Sequence, residues 1–448
     1  STSITYYITV SNTPGKRITP RSQPTTSSDQ VYDYGTVFLF HEKDANNIGG
    51  LGRRWFGDPF SFEPERTFEF DLQAYKSGTE ATLEAKAIAV GSNPTKLTLK
   101  ASTQQLEFYF AASSESLVFS EDSSNPLGGS FTKGAKNMIL FPNSDVLTTT
   151  LVFDNGGNPS STAYLDYIRV AYSRKLTGAT SQYTFVSNLE NLTEVAEFSF
   201  TDANSLKTVW DVSDRFNVGS YDNSNSEDTF KFKIIQNNQK KFVVLSSEDY
   251  FTPSFHPISN RVSNQNLKGT VFNLDGQDSE VDYLIITNKN LQSEAQRLAQ
   301  FHRNYSKLNT QVITIEDIYT EFNTGNPDIG AIRNFIKYVY DNALDPSRKL
   351  KFVCLFGDTS FDYQQRISIN NNIVPTFYSY NSYSTADSFM SDDYYAMMDS
   401  NEGTLSVSNQ MDLAVGRILA DDLSSAKSAV DKIIRYHDKS NFGSWRNT

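Results

Sequence analysis

Apolar and polar positions follow two rhythms along this chain, and the change between them falls near residue 280. Before it, short runs alternate with a period of two: Val31 to Phe40, Thr67 to Leu72, Ala81 to Val90, Lys96 to Leu99 and Leu147 to Phe153. Leu147, Leu151 and Phe153, with Thr149 between them, give such a strand one inward face. Turn clusters such as Asp154-Asn155-Gly156-Gly157 end the runs, and the Ser/Thr/Pro-rich stretch from Ser11 to Asp29 predicts a long loop. A second series follows Arg174: Tyr183 to Val186, Glu197 to Phe200, Thr208 to Val212, Phe230 to Ile235 and Lys241 to Leu245. The stretch from Ser220 to Asp228, rich in Asn, Ser and Asp, predicts a solvated loop. Together these runs predict an all-β sandwich or jelly roll over 1–178 and a second β domain or extension over 179–275.

From residue 276 onward strands alternate with amphipathic helices. Tyr283 to Thr287 is a continuous apolar run of the kind buried on both faces of a parallel sheet. Leu291, Ala295, Leu298, His302 and Tyr305 recur at helical spacing, Val312 to Ile315 restores a strand, and Ile329, Ile332, Phe335, Ile336, Val339 and Ala343 line a second helix leading into the strand Lys351 to Phe356. A strand at Met411 to Val415 precedes a helix with Ala426, Ala429, Val430, Ile433 and Ile434 inward. This order predicts right-handed crossovers in a doubly wound α/β unit over 276–448. Such a unit ordinarily continues with further strands, so the chain is expected to be the amino-terminal portion of a longer protein.

Composition narrows the function classes. A chain of 448 residues implies roughly two to four units. With 40 Lys plus Arg against 52 Asp plus Glu, the formal net charge of -12 opposes nonspecific binding to nucleic acid or anionic lipid. Aromatic residues make up 13% of the chain, which suits Phe/Tyr-rich strands covering wide apolar faces. No stretch approaches the about 20 apolar residues of a membrane helix, and Ser1 opens no basic-then-apolar leader, which fits a trimmed exported protein. The single cysteine, Cys354, excludes an internal disulfide and a multi-cysteine zinc site.

Candidate chemistry gathers in the second half. Asp358 follows an apolar strand and Gly357, with Asp362 four residues on; a strand-to-loop carboxylate there can serve a site, or more commonly cap a turn. Asp387, Asp392, Asp393 and Asp399 form a further acidic group, and loop carboxylates of this kind could hold calcium. They match no EF-hand, nor do Asp222 and Asp228, and a solvated loop is the commoner reading of both groups. Cys354 lies inside an apolar strand, where burial suppresses a nucleophile. His41, His256, His302 and His437 are scattered, with no His-x-x-x-His pair, and Gly49-Gly50-Leu51-Gly52 lacks the following helix of a phosphate loop. The residues alone assemble no complete active site.

A resemblance adds to this reading. Asp282-Tyr283-Leu284-Ile285-Ile286-Thr287, Ala299-Gln300-Phe301-His302, Ile318-Tyr319-Thr320-Glu321-Phe322, Leu355-Phe356-Gly357-Asp358, Ser391-Asp392-Asp393-Tyr394-Tyr395, Asp412-Leu413-Ala414-Val415-Gly416-Arg417 and Lys432-Ile433-Ile434-Arg435-Tyr436 resemble, in order and spacing, the first half of the gingipain-type cysteine peptidase domain. Trp55-Phe56-Gly57, Leu165-Asp166-Tyr167-Ile168, Val209-Trp210-Asp211-Val212, Asn264-Gln265-Asn266-Leu267 and Phe442-Gly443-Ser444-Trp445-Arg446-Asn447 extend it towards the secretion-associated members of that family.

The resemblance implies a caspase- and gingipain-like half-domain. In this family the nucleophilic cysteine and a Gly-His-Gly histidine lie in the following half, and no residue here matches either. It further implies a cell-surface cysteine peptidase and sortase of the type IX secretion system in a Bacteroidetes-type outer membrane. Such an enzyme removes the carboxy-terminal signal of cargo and joins cargo to anionic lipopolysaccharide or another acceptor. The partners implied are the outer-membrane barrel PorV, other attachment-complex proteins and cargo carboxy-terminal domains. The alternatives are a secreted gingipain-like endopeptidase and a catalytically dead surface binding protein.

Overall fold

Period-two burial builds the first half. In the computed structural model, described for residues 6, 12–28, 30–112, 130–131 (backbone), 135–179, 181–187, 195–235, 238–246, 249–254, 265–380, 388–403, 405, 409–438 and 443, the strand Thr162–Lys175 buries Ala163, Leu165, Ile168, Val170 and Tyr172. Its inward set changes parity at a bulge between Leu165 and Tyr167, since one extra residue rotates the side chains that follow it to the other face. This strand lies antiparallel between Tyr34–Glu42 and Ala81–Val90 within an eleven-stranded sheet among the described residues.

A four-stranded antiparallel sheet of Glu65–Asp71, Val146–Asp154, Thr95–Ala101 and Gln104–Phe110 shares one apolar core with it, through Phe68, Phe70, Leu99, Leu151 and Phe153 against Leu83, Ala85 and Leu165. The result is a sandwich. The second β series joins the same large sheet, because Tyr183–Val186 pairs with Lys241–Ser246 on one side and Val186 meets Thr36 on the other. Gly35 makes the approach close: a Cβ there would stand 2.3 Å from the Phe185 ring. A three-stranded sheet of Phe230–Ile235, Val195–Phe200 and Gln30–Tyr32 stacks Phe198 and Phe232 against Phe185, Phe242 and Tyr221. Residues 11–48 and 55–258 thus form one compact β unit.

The predicted loop from Ser220 to Asp228 is strand at its start, Gly219–Asp222, because Tyr221 buries its ring 4.2 Å from that of Phe232. Beyond it, the buried Asn223 side chain ties the turn, donating to the Ala203 and Glu227 carbonyls and accepting from the Glu227 N–H.

The second unit comprises 259–448 with 49–54. Four parallel strands, β1 (Tyr283–Thr287), β2 (Thr310–Thr314), β3 (Phe352–Phe356) and β4 (Ala414–Ile418), lie in the order β2-β1-β3-β4. Alternation divides their side chains between two cores. Leu284, Ile286, Val353 and Leu355 meet α2 (Ile315–Phe322) and α3 (Ile329–Asp341), while Ile285, Cys354 and Phe356 meet α1 (Gln292–Phe301) and α4 (Leu423–His437). Helices on both faces make the sheet doubly wound.

The helix starts follow from their caps. Thr314, Asp328 and Asp422 accept the N–H groups of Asp317, Gly330 and Ser425, each cap worth about 1 kcal/mol. The Thr314 cap explains one departure from the sequence pattern: Ile315 opens α2 rather than closing β2, so two helices, α2 and α3, lie between β2 and β3. β4 begins later than Met411, which is 57% exposed, and continues through Gly416 and Arg417.

Candidate functional site

A doubly wound sheet binds ligands beyond the carboxyl ends of its strands, where the strand order reverses. Here that place lies between β1 and β3. The Thr287 hydroxyl, closing β1, donates to the Phe356 carbonyl at 2.8 Å and locks the two strand ends together. Gly357 follows with φ +147°, and a Cβ on it would stand 2.5 Å from Ile373; only glycine lets the chain leave the strand there. The Asp358 N–H then donates to the Ala420 carbonyl, and the Asp358 carbonyl accepts from Ile373 and Val374 N–H.

The Asp358 carboxyl lies between the Ala420 amide, the Asp421 carboxylate and the Arg417 charge. Burial, then the Asp421 carboxylate, pushes its pKa up, against the opposing Arg417 charge and the Ala420 amide. Asp421 accepts from Ser425, in the first turn of α4, so an acidic group and a helix start meet at this edge.

Arg417 organises the edge. From β4 it sends Nε to Asp392 Oδ2 at 2.8 Å and Nη2 to Asp392 Oδ1 at 2.7 Å, while Nη1 donates to the Gly357 and Val374 carbonyls at 2.8 and 2.6 Å. Thr376 donates to the same Asp392 at 2.6 Å. One guanidinium therefore joins the end of β3, the loop after it, the Asp392 loop and β4. Nothing in the sequence pattern marks this role of Arg417, since neither periodicity nor spacing reveals a pair 25 residues apart.

The remaining candidate acids do not gather into one cluster among the described residues. Asp392 is consumed by Arg417 and Thr376, whereas neighbouring Asp393 is exposed in the first turn of a 3-10 helix, its N–H donating to Ser391. Asp362 is fully buried in the loop after β3, where Oδ2 accepts the Ile367 N–H at 2.6 Å. Asp399 is exposed, and Asp387 lies outside the described residues. Among the described residues, no three His, Cys, Asp or Glu side chains converge to hold a metal ion.

Cys354 sits in the middle of β3 between Ile285 and Gly416. Burial pushes its thiol up to about 12, a shift that neighbouring Tyr283 and the Arg417 charge only partly offset. His302 and His437 belong to an aromatic cluster with Phe301 and Tyr305. His41 pairs with Asp58 in the β unit at 2.7 Å, and His256 lies outside the described residues. Gly49 to Gly52 stand beside the loop after β3, where the Arg53 carbonyl accepts from the Tyr363 hydroxyl. They make no phosphate loop. The closing motif 442–447 is outside the described residues except for Gly443.

Residues 276–448 match the family model described as Peptidase family C25. That match spans the α/β unit and covers less than half of the chain. Outside the matched residues, the β unit gives the chain its multidomain, β-rich character. The crystal structure of dimeric latent PorU from Porphyromonas gingivalis shares the fold, with TM-score 0.78 and 23% identity over 96% of this chain and 40% of that one. The chain thus spans well under half of PorU. Partial matches include the CBM36-1 domain of a xylanase from the hindgut metagenome of Trinervitermes trinervoides (TM-score 0.19, 14% identity, 30% of this chain, 95% of that one). Another is the insecticidal delta-endotoxin Cry8Ea1 from Bacillus thuringiensis (TM-score 0.19, 16% identity, 25% of this chain, 19% of that one). No curated protein matches the chain. Among the described residues, no helix is long and apolar enough to cross a membrane.

Proposed function

We propose that this chain is part of a cell-surface C25 cysteine peptidase of the type IX secretion system, one that cleaves the carboxy-terminal signal of cargo and transfers cargo to a surface acceptor such as anionic lipopolysaccharide. The observation that carries the reading is a C25 unit joined to a β-rich unit in a chain whose fold follows PorU along nearly its whole length. In this reading a thiolate outside these residues attacks the scissile carbonyl, and an amine on the acceptor, rather than water, resolves the acyl-enzyme. The C25 unit described above contributes the sheet edge at Thr287, Gly357 and Asp358, braced by Arg417 and Asp392.

The test uses the longer protein that contains this chain, a cargo signal peptide and an amine acceptor, with products read by mass spectrometry. Cleavage with the new terminus joined to the amine is expected. Cleavage at scattered internal bonds with no transfer would favour a secreted gingipain-like endopeptidase instead.

The β unit is further proposed to dock the enzyme at the outer membrane through PorV or other attachment proteins. Support comes from its aromatic-rich strands together with the lack of a membrane-crossing helix among the described residues. Deleting 1–270 from the longer protein, or deleting PorV, should release the enzyme from the outer-membrane fraction; retention in both strains would contradict docking.

A further inference from the structure

A cavity of about 610 Å³ lies in the β unit. Its floor is set by strand register. Thr208 pairs with Asp222 and Trp210 with Ser220, so these four side chains share one face, while Val209 and Tyr221 turn to the core. The Thr208 hydroxyl donates to Asp222 Oδ1 at 2.6 Å and the Ser220 hydroxyl to Oδ2 at 3.1 Å. Both oxygens of one exposed carboxylate are thereby held in a fixed plane, each with acceptor capacity left over. Trp210 is half-buried, and Tyr250, 51% exposed, stands 6.3 Å from it with the rings inclined at 44°.

We infer that this cavity is a binding site for a pyranose-containing glycan. The C–H face of a sugar ring carries partial positive charge and meets the negative face of an aromatic ring, while neighbouring hydroxyls donate to a preoriented carboxylate. Two inclined rings suit a puckered chair better than a flat base, which needs parallel faces. The volume lies in the range of small-ligand sites, about 300–1,000 Å³. A phosphorylated ligand is disfavoured, because the Asp222 carboxylate lines the cavity with both oxygens held in place. The inference does not depend on the peptidase reading.

The experiment is saturation-transfer NMR on the 448-residue chain with the methyl glycosides of glucose, galactose, mannose and N-acetylglucosamine. Transfer to ring C–H protons of at least one glycoside is expected. Tyr250→Ala, an exposed position, should weaken it by about tenfold or more with unchanged thermal melting. Trp210→Ala and Asp222→Asn should weaken it as well, and if Trp210→Ala unfolds the chain, Tyr250→Ala decides alone. The inference is overturned by failure of all four glycosides, by binding that survives Tyr250→Ala, or by an aromatic peptide that competes at this site while no glycoside binds.

Discussion

Arg417 and Asp392 form a two-pronged ion pair, with Nε–Oδ2 and Nη2–Oδ1 distances of 2.8 and 2.7 Å, and the same guanidinium holds the carbonyls of Gly357 and Val374. The pair is a brace for the carboxyl edge of the sheet. Its geometry depends on the planar fork of arginine, which lysine does not reproduce.

Removing Arg417 strands the Asp392 carboxylate and two carbonyls. Arg417→Ala should therefore cost about 3 kcal/mol or more, and Arg417→Lys should recover only a minor part. Urea unfolding measures both. A loss under about 0.5 kcal/mol for Arg417→Lys, typical of an unconstrained surface substitution, would show that the brace is dispensable.

Cys354 should behave as a core residue. Cys354→Ala is expected to cost about 1–2 kcal/mol and to leave the peptidase activity of the longer protein intact. With burial pushing the thiol up to about 12, iodoacetamide should label it slowly in the native state. The 448-residue chain, whose single cysteine this is, should not hydrolyse a cargo signal peptide. Rapid labelling with concurrent loss of activity would make Cys354 the nucleophile.

Asp431 anchors α4 to α1. Lys427 and then Arg297 hold its carboxyl down at about 2, from an ordinary 3.8. A carboxylate depressed in the folded state stabilises above its unfolded value, and that contribution is lost as pH falls through the folded value. Asp431→Asn should thus lower the melting temperature at pH 7, with the difference from the parent chain shrinking between about pH 4 and pH 2. A difference independent of pH would assign the effect to packing.

Asp358 has the opposite sign. Burial and Asp421 raise its pKa, so the folded state holds the proton more tightly than the unfolded chain, and the group opposes folding once pH rises past the ordinary carboxylate range. Asp358→Asn should raise the melting temperature at pH 7 and leave it nearly unchanged near about pH 3. A lower melting temperature at pH 7 would mean that the carboxylate makes a stabilising contact of its own.

Much of this fold is legible in the residues. Tyr283–Thr287 is read directly because a strand buried on both faces must be apolar throughout, and α4 because Ala426 and Val430 repeat at helical spacing over a capped start. α2 escapes the period argument: at 8 residues it spans about two turns, and its clearest mark is the Thr314 cap. β4 is displaced because Gly416 and Arg417, inside the strand, are not apolar; the arginine is there for Asp392, not for the core. The candidate acids are visible one by one, yet their partners are not, because Asp392–Arg417 and Asp358–Asp421 are closed by tertiary folding across tens of residues. The cavity beside Trp210 is hidden for the same reason, since cross-strand register, not spacing, sets Thr208 opposite Asp222.

The central proposal, cargo processing by a C25 sortase, is tested most directly by intact-mass analysis of surface cargo from cells lacking the longer protein. The account expects cargo that retains its carboxy-terminal signal and carries no acceptor, with truncated, acceptor-linked cargo restored on complementation. Cargo trimmed and acceptor-linked to the normal extent without the protein would contradict it.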